Sequence, residues 1–168
     1  MGTFKSDYVY IEGVRECAWQ FLDNNVSIDD LLHFSKGILN ENGTLILSVH
    51  NKLGLSFLAG DKDFEDRDYY NSLDAKSDNR FFTKEEITKH LTDNGFTDIS
   101  FYYPWPNLRL PDSIYSENYL PKPGELRTML SGIGQDKYNS FSETAAFDAI
   151  CQAGSFENFA NSFLIFAK

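Results

Sequence analysis

Tyr8-Val9-Tyr10-Ile11, followed by Glu12-Gly13, and Thr44-Leu45-Ile46-Leu47-Ser48-Val49 are the two stretches that decide how this chain folds. Each is a short run of β-branched, aromatic and aliphatic residues, closed by a turn signal and too short for a helix. Both read as buried parallel strands. Parallel neighbours need a crossover of a dozen or more residues, and helix-compatible sequence lies between them. The unit is a right-handed strand–helix–strand crossover. Sheets of this kind that hold nucleotide-like cofactors open on a strand, a Gly-rich turn and a helix. No G-x-G-x-x-G occurs in the sequence.

Working outward, Val14 to Phe21 is helix-compatible, and Asp23-Asn24-Asn25 breaks it. Ser27 then starts a stronger helix. Its hydroxyl suits the cap, Asp29 and Asp30 suit the positive helix end, and Ile28, Leu31, Leu32, Ile38 and Leu39 form one apolar face. Asn40-Glu41-Asn42-Gly43 turns the chain into the second strand. Residues 51–80 are polar and Asp-rich; a short helix over Asn51–Leu58 and then a long surface loop are expected. Thr83-Lys84-Glu85-Glu86 is a capping box with Phe82 and Ile87 as its hydrophobic staple, and Gly95 supplies the left-handed stop. Asp98–Tyr103 alternates, with Ile99, Phe101 and Tyr103 on one face. All five prolines fall between Pro104 and Pro123, which argues against a central strand or helix there. Ser142–Ala153 reads as a helix closed by Gly154, and Ser162–Ala167 as a last buried strand.

A length of 168 residues fits a single domain spanning 1–168. The net charge of −10, with no Lys/Arg run, argues against nucleic acid, because phosphate binding needs clustered cations. No apolar stretch approaches a membrane span of roughly 20 residues, and no signal peptide is visible. Cys17 and Cys151 fit reduced thiols of a cytoplasmic protein. His33, His50 and His90 show no ligand spacing, so no metal site is expected.

The order of elements resembles the C-terminal half of a class I S-adenosylmethionine-dependent methyltransferase. The segments that carry the resemblance are Asp7–Val14, Leu31–Val49, Phe82–Ile87 and Asn94-Gly95-Phe96. They look like that family's fourth strand and its helix, fifth strand, late helix and the start of its sixth strand. Ser162–Ala167 looks like its seventh strand, which runs antiparallel. His50-Asn51-Lys52-Leu53-Gly54-Leu55 and Tyr119-Leu120-Pro121-Lys122-Pro123-Gly124-Glu125 look like a bacterial subgroup whose members tend to occur with cell-surface polysaccharide genes. The resemblance implies an α/β fold: a partial Rossmann-like methyltransferase sheet, the last strands of a seven-stranded one, with helices and a Pro- and aromatic-rich insertion or lid over 104–160. It implies S-adenosylmethionine as cofactor in a longer polypeptide and a small molecule or glycan as methyl acceptor. The family's Gly-rich first turn and the acidic end of its second strand have no counterpart here, so the chain would supply the acceptor-side half and be inactive alone.

Open α/β sheets bind ligands at the carboxyl ends of their strands. That rule selects Glu12, Gly13 and Val14 at the first strand, and the resemblance makes these the cofactor contacts. Glu12 is a substrate-orienting group or base, or else a solvated strand-end carboxylate. His50, Asn51 and Lys52 hold the same place at the second strand; His50 is a general base near neutral pH, or a hydrogen-bonded structural residue. Tyr102, Tyr103 and Trp105, interleaved with proline, are either an apolar wall for a sugar or ring, or a cap on the sheet. If the missing strands would pair with Tyr8–Ile11, that edge is bare in this chain and templates a homodimer. The alternative to an enzyme half is therefore a non-catalytic module that assembles through this edge.

Overall fold

The chain folds around one open, mixed sheet with helices packed on it. The computed structural model describes residues 5–12, 26–61, 70–73, 81–126 and 140–168. Its strands are β1 (Ser6–Glu12), β2 (Leu39–Asn51), β3 (Phe81–Phe82), β4 (Ile99–Trp105), β5 (Ser113–Ser116) and β6 (Ser162–Ala167). Its helices are α1 (Ile28–Ile38), α2 (Leu55–Leu58), α3 (Lys84–Asp93), α4 (Glu143–Gln152) and α5 (Phe156–Phe159). The strand order is β1-β2-β6-β4-β5, and β3 pairs with β2. β1 and β2 are parallel neighbours, as their sequence predicts. β6 runs antiparallel to both β2 and β4, so β4 points the same way as β2. β5 returns antiparallel to β4.

The helix signals hold. Ser27 accepts from the Asp30 amide while Asp30 accepts back from Ser27, a full capping box on α1. Thr83 and Glu86 make the same reciprocal pair on α3, and the staple residues Phe82 and Ile87 are both buried. Gly95, at φ 84, takes the left-handed turn that ends α3 and sends Phe96 into the core. Ser142 caps α4, and Gly154 follows it with φ 66.

Side chains alternate faces along a strand, and here the alternation divides the sheet cleanly. Leu45, Leu47, Val49 and Asn51 of β2, Phe101, Tyr103 and Trp105 of β4, and Phe163, Ile165 and Ala167 of β6 lie on one face, all buried. Ile28 and Leu32 of α1, Ile87 and Leu91 of α3, Phe147 of α4 and Phe156 of α5 belong to the same core. The other face carries Glu12, Ser48, His50, Tyr102, Ser162, Leu164 and Phe166, and it is only partly covered.

Four expectations change. Tyr8–Ile11 is not buried: among the described residues β1 is the end strand, and Tyr8 and Tyr10 are 67% and 58% exposed. The second strand begins at Leu39 rather than Thr44. Ser6 pairs with Leu39 and Tyr8 with Thr44, so Asn40–Gly43 bulges out inside the strand. The turn residues still act as a turn there; a Cβ on Gly43 would sit 2.8 Å from the Leu39 side chain. The short helix expected over Asn51–Leu58 is present as Leu55–Leu58, but the loop expected after it does not start at the surface, since Ala59 is buried. Finally, Pro104 does lie in β4. The β4–β6 pairing ends at Tyr102–Leu164, and beyond it, among the described residues, Pro104 has only β5 beside it, opposite Ile114. A proline costs no ladder bond where one flank is already unpaired. The stretch from 104 contains a strand of the sheet, and its later residues Leu126, Phe147 and Phe156 fill the core. Val14–Phe21, Cys17 and most of 62–80 lie outside the described residues.

Candidate functional site

β1, β2 and β4 all end at one rim of the sheet, where β6 begins. Two asparagines bind that rim together. Asn51, fully buried, donates through Nδ2 to the carbonyls of Asn158 (2.8 Å) and Ala160 (2.7 Å) and accepts from the Leu53 amide at 3.0 Å. Asn161 accepts from the Ser56 amide at 2.9 Å and donates to the Pro106 carbonyl at 2.8 Å. Its own carbonyl takes the Asn51 amide at 3.1 Å. Gly54 lies against this knot; a Cβ there would stand 3.0 Å from the Asn51 carbonyl and 3.2 Å from the Asn161 backbone. The His50–Leu55 phrase is thus a packed turn. Both amide hydrogens of Asn51 are used within the chain, which leaves none for a substrate.

Lys52 turns away from the rim. Its Nζ lies 3.0 Å from Glu86 Oε1 and its amide bonds the Phe82 carbonyl at 3.1 Å. Burial pushes the Glu86 carboxyl up, but the Thr83 amide and Lys52 outweigh that and hold it below the usual range. Lys52 thereby ties the end of β2 to the α3 cap.

Tyr103 and Trp105 face the core and not a pocket. Trp105 meets Phe147 edge-to-face at 4.6 Å. Tyr103, fully buried, donates to Glu157 Oε1 at 2.6 Å and accepts from Lys84 Nζ at 3.0 Å. Lys84 also bonds Glu117 at 2.8 Å and Glu157 at 2.9 Å, which uses all three of its donors. Burial pulls the Lys84 ammonium down, yet Glu117, Tyr103 and Glu157 outweigh it and hold it well above the ordinary lysine range. Burial and the bond to Glu157 push the Tyr103 phenol up strongly. The Glu157 carboxyl is raised by burial but lowered more by Tyr103 and Lys84. Lys84 and Glu157 also border an open groove of about 590 Å³ along α3, with Thr88 and Thr92 in its wall. This network was missed in the sequence, although it left a signal. A lysine in the first turn of a helix opposes the helix dipole and has to be held by acids from elsewhere.

The partly covered face keeps the remaining candidates. Glu12 is exposed and stands in register with buried Ser48. His50, two residues on, packs edge-to-face on Phe57 at 5.7 Å and against Phe81 at 6.0 Å. Opposite His50 on β6 is Ser162, whose Oγ is buried with no hydrogen-bond partner. Tyr102 faces the same way and touches Phe166 edge-to-face at 5.4 Å. Tyr119 stacks on Tyr115 at 6.5 Å and the Gly124 amide bonds Asp148 at 2.7 Å, while Tyr119, Lys122, Pro123 and Glu125 of the second phrase are exposed. Gly13 and Val14 lie outside the described residues.

Glu12, His50 and Tyr102 therefore share one face, Glu12 and Tyr102 three strands apart with Ser48 and Leu164 between them and His50 beside Ser162, opposite the face of Asn51, Tyr103 and Trp105. A carboxylate, an imidazole, hydroxyls and aromatic rings make a surface able to hold a polar ring compound and accept a proton from it. No family model, no curated protein and no solved structure matches this chain. Among the described residues no helix is long and apolar enough to cross a membrane, and no group of three or more His, Cys, Asp or Glu could hold a metal ion.

Proposed function

We propose that this chain is the acceptor-side, C-terminal half of an S-adenosylmethionine-dependent methyltransferase fold, acting on a small molecule or glycan. The observation that carries the reading is the place of β6: the last strand enters antiparallel between β2 and β4, which point the same way. The resemblance implies an antiparallel last strand, and the order of helices and strands before it agrees. The residues present do not by themselves fit the cofactor. The Gly-rich turn is missing from the sequence, and of the cofactor contacts only Glu12 is described. The share of the reaction left to this chain is to hold the acceptor at the rim and to take its proton, by Glu12 or by His50, with Tyr102 as an aromatic side.

Calorimetric titration with S-adenosylhomocysteine, on this chain and on the polypeptide encoded by its natural gene, tests the reading. The expected result is no binding by this chain and micromolar binding by the gene product, weakened about tenfold, or ~1.4 kcal/mol, by Glu12→Ala. A gene product that neither binds the nucleoside nor transfers a labelled methyl group overturns it.

A second reading, an assembly module that dimerises, is favoured by β1. Among the described residues this strand closes one side of the sheet, with two tyrosines largely exposed.

A further inference from the structure

We infer that the groove along α3 is a binding site for an extended, uncharged, hydroxyl-rich chain, an oligosaccharide. The inference goes beyond the methyl-transfer reading and does not need it. The groove holds about 590 Å³ between α3 and α5, within the roughly 300–1,000 Å³ of small-ligand sites. Every residue of its lining lies among the described ones. On the α3 side the lining runs from Lys84 to Asp93, a span of about 13 Å at the helical rise. That length suits an extended chain better than a single ring.

The pairing of charges selects the ligand. The cations of the lining are already held, Lys84 by Glu117 and Glu157 and Lys89 by Asp93. An anionic ligand would have to break one of these pairs to gain a cation. What the lining leaves over is uncharged hydrogen-bonding capacity and one carboxylate. The Thr88 and Thr92 hydroxyls donate to the carbonyls of Lys84 (2.6 Å) and Thr88 (2.8 Å), and their oxygens keep lone pairs to accept with. Glu85 and Asn158 are exposed, and neither side chain has a hydrogen-bond or ion-pair partner among the described residues. Acceptors on Thr88, Thr92 and Glu85, with a donor on Asn158, call for ligand groups that both give and take a hydrogen bond. Hydroxyls do both, whereas ionised carboxylates only accept and ammonium groups only donate. A cationic ligand would be left with Glu85, and an exposed ion pair of that kind is worth little.

The test is a titration of the isotope-labelled chain followed by amide NMR. The neutral probes are maltohexaose, cellohexaose and the N-acetylglucosamine hexamer; a hyaluronan hexasaccharide and a chitosan hexamer are the anionic and cationic ones. At least one neutral probe should shift the amides of Thr88, Thr92 and Asn158, with a dissociation constant of about millimolar. That affinity should not change between about 0.05 and 0.5 M salt, since no charge pair is made or broken. Glu85→Ala and Asn158→Ala, each at an exposed position and each checked for folding by circular dichroism, should weaken it about fivefold, the loss of one hydrogen bond. No shift with any neutral probe, or shifts confined to the open face of the sheet, overturns the site. A charged probe that binds the groove more tightly than every neutral one, and releases with salt, overturns the ligand class. Two variants that bind as the wild type does overturn the parts given to Glu85 and Asn158. Sugar binding by a gene product that ignores S-adenosylhomocysteine leaves this site standing while the methyl-transfer reading falls.

Discussion

Asn51→Ala is the substitution whose cost the structure defines best. The side chain is fully buried and makes three hydrogen bonds to the backbone, to Asn158, Ala160 and Leu53. Truncation leaves two carbonyls and one amide without that partner. A typical lost hydrogen bond costs about 1 kcal/mol, and a buried group left unsatisfied costs about 1–3 kcal/mol. The bond to the Ala160 carbonyl is buried, so that group takes the larger penalty, while those to Asn158 and Leu53 are part-buried and cost nearer the typical value. A total near 3–4 kcal/mol follows. With a urea slope of about 2 kcal/mol per molar for a chain of this size, the unfolding midpoint should fall by roughly 1.5–2 M. Urea denaturation followed by circular dichroism measures this directly. A midpoint shift below about 0.5 M would refute the argument, because the stranded groups would then have found other partners and Asn51 would not be the clasp of the rim.

Two further outcomes follow from the same region. Gly54→Ala should lower stability by about 1–3 kcal/mol, since the added methyl meets backbone of Asn51 and Asn161 that cannot swing aside; thermal unfolding reads this, and an unchanged midpoint would contradict it. Glu157 has a folded-state pKa below its ordinary 4.5, because Tyr103 and Lys84 outweigh burial; the unfolded chain therefore binds its proton first as pH falls. Its stabilisation is complete above about pH 5 and is lost as pH falls through the lowered value, so urea midpoints should decline below pH 4.5 in the wild type and more gently in Glu157→Gln. Parallel pH profiles for the two proteins would sink this assignment.

The parts legible in the sequence were those set by local chemistry. The two capping boxes, the glycine stop at Gly95 and the alternation of Ile99, Phe101 and Tyr103 each depend on residues within a few positions of one another. The misreadings share another cause. Tyrosine counts as apolar in a pattern, yet Tyr8 and Tyr10 keep much of their surface in water, so a run that looks buried turned out to be an edge. Pro104 in a strand looked excluded until the register showed its flank beyond β6 to be unpaired. Asn51 and Asn161 are more than a hundred residues apart, and no local pattern announces that one will accept the other's amide. Lys84, Tyr103, Glu117 and Glu157 likewise come from four separate segments. Only the misplaced helix charge hinted at them.

The division of the sheet faces bears on where function can reside. A strand end offers two kinds of side chain, and the rule that ligands bind at carboxyl ends does not choose between them. Here packing chooses. Asn51, Tyr103 and Trp105 are committed to the core, the first two by hydrogen bonds inside the chain and Trp105 by packing on Phe147, and to remove one is to remove structure. Glu12, His50 and Tyr102 lie on the face that the described helices leave partly open, and Ser162 adds to it a buried hydroxyl without a partner. A polar group of that kind is costly to keep in a core unless something satisfies it. The better candidates for acting on another molecule therefore belong to this second face. The same face bears Tyr8 and Tyr10 of β1, in register with Thr44 and Ile46.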